Sequence, residues 1–187
     1  LRTRKAAALT AAAARKELII HYPFDPFQSL VLNKDALDLE DALKTAKLLE
    51  QARAQIPGAA GLSTHRSYKA TKNRPLMRAF MAALKPTGLF FVDSLVSSKS
   101  VAYAEAKEAG VPAARNDRFL DTAEDHTQAF CAEMLEQTVA VARKTGSAIA
   151  VCHHYFRSTL DCLKAEILCV RDAADGELRA VRAEEEV

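Results

Sequence analysis

The amino-acid sequence predicts an α/β protein built on parallel strands. Short apolar runs alternate with longer amphipathic stretches four or five times, and no internal repeat or low-complexity linker interrupts them. Glycine and proline fall at the changeovers, where one element must stop before the next begins. Alternation of this kind lays helices on the faces of a parallel sheet. A barrel and an open doubly wound sheet both satisfy the pattern.

Residues 3–15 are alanine-rich with Arg and Lys interspersed, a composition that favours helix. "ELIIH" (17–21) reads as a buried strand, and Pro23 and Pro26 stiffen the chain directly behind it. Over 35–55, Leu39, Leu43 and Ala46 recur at helical spacing, and "IPG" (56–58) closes that helix. "AAGLS" (59–63) is a weaker strand, being small and glycine-containing. Residues 73–85 form a helix with Asn73 as its cap and Pro75 in its first turn. "TGLFFVDS" (87–94) is the strongest strand, four bulky apolar residues released by Gly88. A helix over 99–109 is closed by Gly110 and Pro112. A brief strand is expected in "NDRFLD" (116–121), then a long helix over 123–144 that Gly146 ends. "SAIAVC" (147–152) is a fifth strand and 158–168 the helix behind it. In "LCVRDAADGELRAVRA" an Asp-Gly pair signals a hairpin. The chain therefore reads as one domain over 1–170 followed by a hairpin or tail over 171–187.

A length of 187 residues allows one domain with a proper core, and 49% apolar with 27% charged residues is ordinary for a soluble globular protein. The net charge of +2, with no dense basic run beyond "RTRK", argues against nucleic acid as a partner. No segment approaches the ~20 apolar residues of a membrane-spanning helix. Nucleotide binding through GxGxxG or GxxxxGK[ST] is unsupported, because neither loop occurs. The chain opens on Leu1 with no visible signal peptide, so it reads as processed or truncated. Cys131, Cys152, Cys162 and Cys169 lack CxxC spacing and are expected as buried, reduced thiols. They leave the compartment open, and the oligomeric state is not legible.

Chemistry in such folds gathers at the carboxyl ends of the strands. The first end carries His21 with Asp25 just behind, the second His65 in "STHRS", the third Asp93, and the fifth His153 and His154. In a parallel sheet these ends lie on one side, so three histidines and an aspartate are expected to converge. Two histidines and a carboxylate form a common catalytic zinc set that leaves a position open for water. Of the last two histidines only one should face the site, since neighbouring strand side chains alternate. His153 is favoured because it directly ends the apolar run. His126, near a helix start, reads as a surface residue.

At these residues the sequence resembles the divergent polysaccharide deacetylase family, distant relatives of the NodB-type carbohydrate esterases. "ELIIHYPFDP" is similar to the family's strand ending in His-Leu-Pro-Met-Glu-Pro, and "IPGAAGLSTHRS" to its Asn-Asn-His-Met-Gly-Ser segment. The block from "LKPTGLFFVDS" to "RNDRFLD" and the segment "ARKTGSAIAVCH" follow in the family's order, so the likeness runs from about residue 5 to 168.

The resemblance implies a distorted (β/α) barrel of parallel strands, with the family's first strand, which carries two aspartates, apparently missing from this chain. It implies a metal-dependent deacetylase acting on the N-acetyl groups of an envelope glycan, such as peptidoglycan, in the periplasm or cell envelope. A divalent metal, zinc by donor type, would be held by His21 and His65. His153 would be the catalytic acid, oriented by Asp93. Substrate contacts are expected from Tyr22, Asp25, Arg66, Tyr68 and His154, and aromatic platforms among Tyr22, Phe24, Phe27, Tyr68 and Tyr155. Two departures matter. "STHRSY" sets bulky Arg66 and Tyr68 where the family loop is tight, and Cys152 stands where a glycine precedes the last histidine. The competing readings are a catalytically inactive module that binds cell-wall glycan or a partner protein, and a hydrolase of a non-glycan amide.

Overall fold

The computed structural model describes residues 17–24 and 39–173. The helix expected over 3–15, Asp25, Phe27 and the second arm of the hairpin lie outside them. Among the described residues six strands and five α-helices follow in order. They are β1 (Ile19–Pro23), α1 (Leu39–Gln55), β2 (Gly61–His65), α2 (Arg74–Leu84), β3 (Phe90–Asp93), α3 (Ala102–Ala109), β4 (Ala113–Arg115), β5 (Arg118–Phe119), α4 (Gln128–Thr145), β6 (Ala150–Val151) and α5 (Arg157–Ala173). The chain divides into two compact units, one running to Arg115 and one beginning at Asn116.

In the first unit β1, β2, β3 and β4 form a parallel sheet in that order. Strand side chains alternate between faces. Ile20, Tyr22, Leu62 and Phe91 enter the apolar core, together with Leu76, Phe80 and Leu84 of α2 and Leu49 of α1. Asn73 caps α2 as the sequence predicts, its side-chain oxygen accepting from the Leu76 N–H at 3.0 Å. Gly88 is left-handed (φ 74°) and releases the chain into β3. Gly61 answers for the weakness of "AAGLS": a Cβ there would meet the Phe90 ring at 2.2 Å. Glu105 of α3 is buried and paired with Arg74 and Arg78 of α2. Two arginines on one carboxylate offset the cost of taking it out of water.

The second unit pairs β5 with β6, again in parallel. Its apolar cluster among the described residues is small: Leu120, Cys131 and Cys162. Cys131 of α4 and Cys162 of α5 are joined in a disulfide, with Cα atoms 6.4 Å apart. The expected reduced state fails for this pair because helix packing brings together residues 31 apart, which local spacing does not reveal.

The α/β class with parallel strands is thus shown, as two sheets. Strand β4 was missed, being three residues with no bulky apolar side chain. Helix α4 begins at Gln128 rather than 123, because Thr127 is its cap and accepts from the Phe130 N–H. Helix α5 continues to Ala173, through the residues read as the first arm of a hairpin.

Candidate metal-binding and proton-transfer residues

Strands β1 and β2 of the first unit bring two imidazoles together, His21 from the middle of β1 and His65 from the last position of β2. His21 lies opposite Ser63, and Pro23 opposite His65. In a parallel pair facing residues share a side, so His21, Ser63 and His65 lie on the face away from Ile20, Tyr22 and Leu62. The rings of His21 and His65 are 4.6 Å apart between centroids and tilted by 53°. His21 Nδ1 lies 2.6 Å from the Ser63 hydroxyl, a second partner of the kind that fixes ring orientation in metal-binding histidines. The Phe24 N–H donates to the His65 carbonyl at 3.1 Å, continuing the ladder past Pro23.

As a donor set the pair fits part of a catalytic zinc site, which takes three protein ligands. Among the described residues no group of three or more His, Cys, Asp or Glu is arranged to hold a metal. His21 and His65 would supply two of the three ligands that such a site takes.

Among the described residues, the two non-glycine residues with left-handed backbone follow strands of this unit: Arg66 (φ 42°) directly after β2, and Leu95 (φ 53°) two residues after β3. Such conformations cost about 1–3 kcal/mol and tend to gather at functional sites.

Asp93 has another employment. It is fully buried. Its carboxylate accepts from the Leu95 N–H, the Ser100 hydroxyl at 2.7 Å and the Tyr103 N–H. It secures the loop after β3 to the start of α3. In the second unit the carboxylate beside His153 is Asp121.

The register explains that dyad. Phe119 faces Val151, so Asp121 and His153 each stand two residues beyond a paired position. His153 Nδ1 donates to Asp121 Oδ1 at 2.6 Å, and the His153 backbone N–H donates to both carboxylate oxygens. The Thr159 hydroxyl of α5 donates to Oδ2 at 2.7 Å. Burial pushes the Asp121 carboxyl up, but the bonds from the His153 ring, its backbone N–H and Thr159, with the charge of His153, hold it below the usual carboxylate range. With Nδ1–H committed to Asp121, Nε2 is the atom that can take or give a proton.

The substrate-contact residues separate. Tyr22 is 5% exposed and packs on Phe24 and Phe80, so it belongs to the core. Phe24 is buried with it. Arg66 and His154 are exposed. Tyr68 is 55% exposed, with the Lys72 ammonium 3.7 Å above its ring. His126 is exposed as expected, and its ring is stacked on Phe156. Sequence reasoning does not single out Asp121. The signal available was the acid that closes the short strand "NDRFLD".

Fold and site define an α/β protein with parallel strands, carrying a histidine pair on two neighbouring strands and a histidine–aspartate dyad just beyond another pair. The chain matches the family described as divergent polysaccharide deacetylase over residues 1–174, and it belongs to that family. It is 33% identical over 145 residues to an uncharacterized protein of Haemophilus influenzae, covering 74% of this chain and 49% of that one. It is 29% identical over 138 residues to the uncharacterized protein YibQ of Escherichia coli, covering 73% and 43%. The chain thus spans less than half the length of these curated relatives. A crystal structure of an uncharacterized protein from Agrobacterium tumefaciens matches with a TM-score of 0.65 at 21% identity, covering 84% of this chain and 64% of that one. That likeness shows the fold.

Proposed function

We propose that the chain is the catalytic part of a metal-dependent deacetylase that hydrolyses N-acetyl groups of an envelope glycan. The observation that carries the reading is the contact between His21, in the middle of β1, and His65, the last residue of β2. These two residues would hold a divalent metal, zinc by donor type. When bound, the metal would supply polarisation of the acetyl carbonyl and an acidified water. His153 would give its Nε2 proton to the amine nitrogen as the carbon–nitrogen bond breaks. Asp121 would hold that imidazole in the required tautomer and orientation. Asp93 is not assigned a chemical role.

The distorted barrel and the envelope location belong to the same reading. The Cys131–Cys162 disulfide supports an oxidising compartment. No helix among the described residues is long and apolar enough to cross a membrane.

Metal analysis and acetate release test the proposal. The purified protein should carry stoichiometric metal, and His21→Ala or His65→Ala should lose it. His153→Asn should keep the metal while acetate release from N-acetylglucosamine oligomers falls by about 10²–10⁴, the usual worth of a positioned acid. A His153→Asn variant at the parental rate would remove the dyad from the reaction. Protein without bound metal would leave the second reading, a glycan-binding module, which the exposed, left-handed Arg66 in the loop after His65 favours. Acetate released only from small amides would move the substrate off glycans.

A further inference from the structure

The loops that leave β2 and β3 carry a charge pattern that the proposed reaction does not use. Parallel strands send both loops out from the same edge of the sheet. The loops lie side by side. Ser94 donates its N–H to the Thr64 hydroxyl at 3.1 Å and its own hydroxyl to the Thr64 carbonyl at 2.8 Å. Further along, the Val101 N–H donates to the Thr71 carbonyl at 2.8 Å. Arg66 and Lys69 are exposed in the first loop with Lys72 half-buried behind them, and Lys99 is exposed in the second. Neither loop, 66–73 or 94–101, contains an aspartate or a glutamate. The acid that closes β3, Asp93, is fully buried, and its oxygens are taken up by the second loop and the start of α3. The whole chain has a net charge of only +2, so these cations are a local concentration.

Apolar groups stand out from the same two loops. Among the described residues four large apolar or aromatic side chains are exposed, and two of them are Tyr68 and Val96. The other two, Leu43 and Tyr155, lie on α1 and in the second unit. The Lys72 ammonium rests 3.7 Å above the Tyr68 ring, so an aromatic face and a charge share one spot. Tyrosine favours the boundary between headgroups and acyl chains, and a valine on the adjoining loop adds apolar area to bury there. Lysines and arginines around such groups are drawn to anionic headgroups, each tightening attachment by about fivefold. A soluble polyanion would answer the cations and offer nothing to Val96, which stands 44% exposed. A lipid surface answers both.

We propose that the loops after β2 and β3 are a docking surface for an anionic phospholipid bilayer, seating the first unit with the His65 edge of its sheet toward the headgroups. The attachment is peripheral, and it does not depend on the deacetylase reading.

Sedimentation of the whole chain with vesicles tests it. Vesicles of equimolar phosphatidylglycerol and phosphatidylcholine should carry the protein down at low salt, pure phosphatidylcholine should not, and added salt should release it. Lys69→Gln combined with Lys99→Gln should weaken binding by about 25-fold. Lys85→Gln combined with Lys107→Gln removes the same charge from helix ends that lead back to the opposite edge of the sheet, and should change binding by less than about twofold. The chain contains no tryptophan, so Val96→Trp supplies a single indole. Its emission should shift to the blue on the anionic vesicles and be quenched by brominated acyl chains. Equal losses in the two lysine pairs overturn the loops as the docking surface. An indole that stays in water on vesicle-bound protein overturns them too. Binding to polygalacturonate in preference to the vesicles overturns the bilayer as the partner.

Discussion

Among the described residues the first unit gathers sixteen buried apolar residues into one cluster, while the second gathers three and joins two of them by a disulfide. The chemical residues sit differently on these foundations. His21 and His65 occupy the face of β1 and β2 turned away from the core, so stability there rests on other side chains. In the second unit Asp121 is 0% exposed and receives the His153 ring, the His153 backbone and Thr159. A residue that orients the proposed acid also holds the local fold together. A large core thus lets function ride on spare positions, and a small core makes fold and function share residues.

The strongest test of that contrast is Phe80→Ala. Phe80 touches Tyr22, Phe24 and Phe91 in the first core, and its removal should cost about 3–5 kcal/mol. Hydrogen exchange should show protection lost across the first unit and kept around Leu120. Equal loss in both would end the idea that each unit stands on its own core. Replacing Cys131 and Cys162 together by serine should cost the second unit about 3–4 kcal/mol, the loop-closure value for residues 31 apart. The same amides should exchange faster after reduction, whereas those of the first unit should not.

Asp121 sharpens the comparison through pH. Its folded carboxyl lies below the ordinary range, so its contribution to stability is complete above the unfolded value of about 3.9 and fades as pH falls through the folded value. Acid titration of the second unit's exchange protection should show this loss. Asp121→Asn should abolish that slope and cost about 1–3 kcal/mol at neutral pH by leaving its donors poorly matched. The smallest effects come from the caps. Asn73→Ala in the first unit and Thr127→Ala in the second should each cost about 1 kcal/mol, because a lost cap bond is local. A much larger cost at Thr127 would mean that the small core magnifies every defect near it.

The sequence made legible what rests on dense local signals. "ELIIH" and "GLFFVDS" became β1 and β3 because bulky apolar runs have few other uses. Asn73 and Gly88 marked boundaries through backbone chemistry that belongs to a few residues. The meeting of His21 and His65 followed from parallel pairing alone. Tyr22 was misplaced, although alternation decides it. The rule used to choose between His153 and His154 also forbids His21 and its neighbour Tyr22 from sharing a face. Asp121 was hidden because its partner is 32 residues away and is set by the β5–β6 register. Asp93 looked chemical at a strand end, and only the fold revealed the loop that consumes its oxygens.

The bond from the Phe24 amide to the carbonyl of His65 gives the first unit an engineering property. Main chain, rather than the imidazoles themselves, sets the gap between those two positions. Either ring can then be exchanged for a cysteine or a carboxylate without disturbing where the other stands. The paired strands hold these two positions at a fixed spacing, so the donor groups offered there can be rewritten one substituent at a time on an unaltered scaffold.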